Sequence, residues 1–174
     1  MSKFLNAILI FLVATVIHWI FMLAFSPFDI NIGIMLAFCL IMGSLISESG
    51  GYVFAFISGL FLDFFRSTLF GGYALVFTLI MFIFNIIHDK IDFKDIGPQL
   101  FVTSALNIVC IILYGILGSI FTGHFIWQGF KSLIFGSAFT GLLMPVLYSL
   151  TVRYLTFKSL RGGERGDNEN KAIF

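Results

Sequence analysis

Long apolar runs separated by short polar breaks pattern this chain. The runs cover about 4–25, 30–46, 52–67, 72–88, 98–121 and 130–157. Ser26-Pro27 closes the first, because proline supplies no amide donor and restricts the residue before it. The sequence Ser47-Glu48-Ser49-Gly50-Gly51 breaks the second from the third. Arg66-Ser67-Thr68 and Gly71-Gly72 separate the third from the fourth. The stretch HDKIDFKD, from His88 to Asp95, is the first clearly aqueous loop. A further turn spans 122–129, and a polar tail, 158–174, reads as disordered and cytoplasmic. At about 1.5 Å per residue, a helix of about 20 residues crosses a hydrocarbon core of roughly 30 Å. The pattern predicts an all-α integral membrane protein, a bundle of six transmembrane helices with the third one short. That third run has a core, 52–65, reaching only about 21 Å. It crosses by borrowing flanking residues or by thinning the bilayer; otherwise it is a re-entrant piece buried in protein.

Composition strengthens this reading. Of 174 residues, 59% are hydrophobic and 11% charged, with 24 phenylalanines. Mean hydropathy is +1.05. A soluble domain carries roughly 25% charged residues, and so small a polar share could not cover a water-soluble core. A net charge of +1 gives no case for nucleic acid. Lys3 followed by an apolar stretch imitates a signal peptide, but the stretch is too long for an h-region and no small-x-small site follows. It is expected to be an uncleaved first span.

Basic residues set the expected orientation. With six crossings, Lys3, Lys90, Lys94, Lys158, Arg161, Arg165 and Lys171 share the cytoplasmic side, with both termini inside. Without a crossing by the third run, the basic loop and tail fall outside, against the rule.

Few residues could carry chemistry. Asp63 and Arg66 stand three apart, neighbours on one helix face. They read as an interfacial ion pair or as a polar contact for a partner. His18 could meet Asp63 at similar depth, as a relay or ligand contact, or could be a helix–helix hydrogen bond. Asn85 and Asn107 suit hydrogen bonds between helices. Ala55/Gly59 and Ser137/Gly141 are small-xxx-small pairs, and Gly141 with Pro145 predicts a bend in the last helix. Trp19 and Trp127 suit the outer interface. Cys39 and Cys110 lie in apolar runs at no metal or disulfide spacing. No metal and no cofactor is expected. Nucleophile-elbow, phosphate-loop and zinc-pair signatures are missing, so the expectation is a protein that is not an enzyme.

One order of residues is familiar. Gly51, Phe56, Gly59-Leu60, Asp63, Ser67-Thr68-Leu69, Gly71 and Ala74-Leu75 resemble the signature of the bacterial rod shape-determining MreD family. Gly141-Leu142-Leu143-Met144-Pro145 followed by Arg153 is similar to that family's last helix. Arg66 stands outside the pattern. The resemblance is motif-like over 50–75, looser over 141–153 and only hydropathic elsewhere. It implies a fold like the substrate-binding subunits of energy-coupling-factor vitamin transporters. It also implies a non-enzymatic inner-membrane scaffold of the cell-elongation complex. The partners would be the bitopic protein MreC, and through it MreB filaments, the synthase RodA and a penicillin-binding transpeptidase. Gly59, Asp63 and Gly71 would carry the motif here, and Gly141 and Pro145 the bend. The runner-up is a small-molecule-binding membrane subunit of a vitamin transporter, which needs a closed polar pocket between helices.

Overall fold

A computed structural model describes residues 3–28, 30–45, 48–65, 69–88, 90–91, 93, 95–126 and 128–171. Among these the chain is all-helical, with six α-helices and no strand. They are α1 (Lys3–Phe25), α2 (Ile34–Leu45), α3 (Glu48–Phe65), α4 (Gly72–His88), α5 (Ile96–Thr122) and α6 (Ser137–Lys171). A 3-10 turn, Ser26–Phe28, follows α1, and a π-helical turn, Ser132–Gly136, leads into α6. Three helical segments are long and apolar enough to cross a membrane: Ile8–Phe25, Ile96–Thr122 and Ser132–Tyr154. The apolar helices Ile34–Leu45, Ser49–Phe65 and Gly72–His88 are shorter.

The bundle is built around α2. Every residue from Ile34 to Met42 is buried, and the helix touches each of the other five. A helix apolar on all sides has no face to give to water, so it becomes the core. Its partners include Phe77, Ile80, Met81 and Phe84 from α4 and Met144 from α6. α1 sits at the periphery, with only 17% of its apolar window buried. It holds on through Phe11, whose ring meets Phe54 and Phe61 edge-on at 5.9 and 5.4 Å.

Four expectations need correction. The third helix is not the short one: α3 begins at Glu48, runs through the Ser49-Gly50-Gly51 stretch read as a turn, and its 18 residues exceed the 12 of α2 and the 17 of α4. The second helix starts at Ile34, so 30–33 is an extended strap rather than helix. Helix α6 continues to Lys171 through the stretch read as a disordered tail. Finally, HDKIDFKD is more than a solvated connection. Phe93 is buried among Phe84, His88 and Tyr148, and its carbonyl accepts the Gln99 side-chain amide at 2.8 Å.

Candidate functional site

The polar groups gather in two adjoining places, a clamp between α3 and α4 and a chamber beside it. The clamp begins with Gly59. A Cβ there would stand 2.5 Å from both the Ala74 Cα and the Tyr73 carbonyl oxygen, so only glycine lets the two backbones meet this closely. One turn later comes Asp63, 1% exposed. Its two carboxylate oxygens accept the backbone amides of Tyr73 at 2.9 Å and Ala74 at 3.0 Å. These are among the first amides of α4, which have no partner within their own helix. A carboxylate at this end also complements the helix dipole. Gly71, at φ +86°, turns the chain into α4 in the left-handed region that favours glycine.

Asp63 is thus a cap supplied by the preceding helix. The expected partner, Arg66, lies outside the described residues, as does Trp127. Gly141 serves α5 and α6 as Gly59 serves α3 and α4: a Cβ there would collide with the Ser104 hydroxyl and come within 2.7 Å of the Leu100 carbonyl. Pro145 lies within α6, which runs through it.

The chamber is lined by α1, the strap, α2, α3, α4, α5 and the loop before α6. Its volume is about 30 Å³. His18, Asn31, Tyr73, Asn107, Cys110 and Gln128 contribute to its wall. Gln128 ties two sides of the wall together. The Asn31 side-chain amide donates to Gln128 Oε1 at 2.9 Å, and Gln128 Nε2 donates to the Tyr73 hydroxyl at 2.8 Å. Tyr73 stacks on Tyr114 with ring centroids 4.1 Å apart. It therefore serves both places, its amide in the clamp and its hydroxyl at the chamber.

The strap is held by α6 and the turn leading into it. The Asn31 amide donates to Ser132 Oγ and the Gly33 amide to Thr140 Oγ1, each at 2.9 Å. Non-helical backbone in an apolar setting requires such partners. Asn107 donates to Ser137 Oγ at 3.0 Å, joining α5 to α6 as expected. Asn85 does not act as glue: its buried side-chain nitrogen has no hydrogen-bond partner among the described residues. His18 is buried against the chamber, whose wall does not include Asp63.

No family model, curated protein or solved structure matches this chain. Its chemistry is therefore read from the geometry. Among the described residues no group of three His, Cys, Asp or Glu side chains could hold a metal ion. Both cysteines are free and buried. A chamber of 30 Å³ holds about two waters, whereas small-molecule sites run to about 300–1,000 Å³. Sequence reasoning missed Tyr73, Gln128, Ser132 and Thr140. The one local sign was polar side chains flanking an apolar run on both sides of Gly129.

Proposed function

We propose that this chain is a non-enzymatic membrane scaffold of the cell-elongation complex, of the kind the MreD resemblance implies. It would sit in the bacterial inner membrane with six crossings and both termini cytoplasmic. On this reading it binds an MreC-type bitopic protein and so links MreB filaments to RodA and a transpeptidase. One observation carries the proposal: Gly59, Asp63 and Gly71, the residues of the motif, are spent on joining α3 to α4. The motif is then an instrument of shape, and the outer helix faces are left for contact with other proteins. The basic residues of the loop and tail support the orientation.

Depletion in the native host tests the role. Rods that round up or widen are the expected result; unchanged rods would refute it. A cysteine at Thr122, an exposed position, tests the topology. Labelling by an impermeant thiol reagent from outside intact cells is expected, and labelling only after membrane rupture would reverse the orientation.

The runner-up, a vitamin-binding subunit, draws support from the polar wall of the chamber, but its volume runs against it. A dissolved vitamin that raises the melting temperature of the purified protein would favour that reading.

A further inference from the structure

The seam between α1 and α6 holds a cavity floored by α2. Its volume is about 270 Å³, against about 30 Å³ for the chamber. Ile10, Val13 and Ile17 form one wall, Leu147 and Leu150 the other, and Phe38 of α2 the floor. The three α1 residues are spaced three and four apart, so they line one face of the helix. From Ile10 to Ile17 is about 10 Å along the axis. The cavity is thus a slot running with the helices, inside segments apolar enough to cross a membrane.

Its shape and its lining select an occupant. The slot is open along one side, about 10 Å long, and apolar over most of its wall, which suits a hydrocarbon chain laid along the helices. Thr151 and Tyr154 are the polar residues of its lining, toward the later part of α6. Arg153, exposed, lies in the same helical turn, just before the basic tail. A guanidinium and a phenol in one turn suit a phosphate diester at the level of the headgroups.

We propose that this slot holds one acyl chain of an anionic phospholipid, with the lipid phosphate at the Arg153–Tyr154 turn. The site goes beyond the scaffold reading. It requires placement in a bilayer but no particular protein partner.

Native mass spectrometry of the full chain tests it, after exchange into mixed micelles of phosphatidylglycerol and phosphatidylcholine in equal amounts. The wild type is expected to keep one lipid and to prefer phosphatidylglycerol about five-fold, the effect of one basic residue near an anionic headgroup. Arg153→Gln should still keep a lipid but bring the preference close to one. Val13→Trp and, separately, Leu150→Trp fill the slot and should each lower retention several-fold. Circular dichroism and the melting temperature identify any variant that has failed to fold, and the other then decides. Four results would overturn the site: no lipid kept by the wild type, equal retention of the two lipids, an unchanged preference in Arg153→Gln, or unchanged retention in folded variants with the slot filled. A second copy of the chain, or a helix of another protein, released by those tryptophans in place of lipid would also overturn it.

Discussion

The Asp63 carboxylate on α3 receives the backbone amide of Tyr73 on α4 at 2.9 Å, ten residues further along the chain. The second oxygen takes the Ala74 amide. An acidic side chain inside an apolar run is thereby converted from a cost into the joint between two helices. Asp63→Ala leaves two buried amides without acceptors. Loss of a cap costs about 0.5–2 kcal/mol and stranding a buried donor about 1–3 kcal/mol. The variant should be clearly less stable than wild type in detergent unfolding. Asp63→Asn keeps one acceptor oxygen and should lie between the two. Wild-type stability in Asp63→Ala would mean that the cap contributes nothing.

Gly59→Ala should destabilise by about 1–3 kcal/mol, the range for overpacking. The added methyl would meet the Tyr73 carbonyl and the Ala74 backbone, not the Ala74 side chain. Adding Ala74→Gly should therefore fail to restore stability. Rescue in the double variant, read in the same unfolding assay, would show that the contact is between side chains.

Gly71 has open space around the position of a Cβ but a φ of +86°. Its substitution thus isolates backbone conformation from crowding. Gly71→Ala should cost about 1–2 kcal/mol, the penalty for an L-residue in the left-handed region. Gly71→Asn should cost less, since asparagine visits that region more readily. Equal losses would point to some other cause.

Gln128→Leu removes both hydrogen bonds that tie the strap to Tyr73 in the chamber wall. Cys110, in the chamber wall, then reports on opening. In a Cys39→Ala background, the variant should react faster than its parent with a small neutral maleimide. Unchanged labelling would show that the strap stays shut without the bridge.

At the other end of the bundle, Phe93→Ala empties a buried aromatic site. Such truncations cost about 3–5 kcal/mol in well-packed cores. The loop should also be cut more readily by protease in the detergent-solubilised protein. Wild-type cleavage and stability would mean that the ring adds little to the packing there.

The helical count was legible in the sequence, because apolar runs and their breaks report directly on burial; the start of α3 was not, since Gly50-Gly51 reads as a break yet lies inside the helix. The joint at Asp63 was only half legible. Spacing on one helix pointed to Arg66, whereas the capped amides belong to the next helix, and a helical period carries no information about a hairpin. The strap was hidden for a related reason. Asn31 and Gly33 sit in an apolar context that reads as helix until hydroxyls from Ser132 and Thr140 are known to satisfy the backbone. Phe93 was obscured by its charged neighbours, which pull a loop toward water without showing that one residue turns inward.

The strap also imposes a timetable on synthesis. Gly33 and Thr140 are separated by 107 residues. At about 5–20 residues per second, the ribosome needs roughly 5–20 s to deliver the hydroxyl that the Gly33 amide requires. During that interval the Gly33 amide lacks the hydroxyl that accepts it in the folded chain. A chain truncated before Thr140 would lack the acceptor for the Gly33 amide and should be less stable than the full chain however intact its first five helices are.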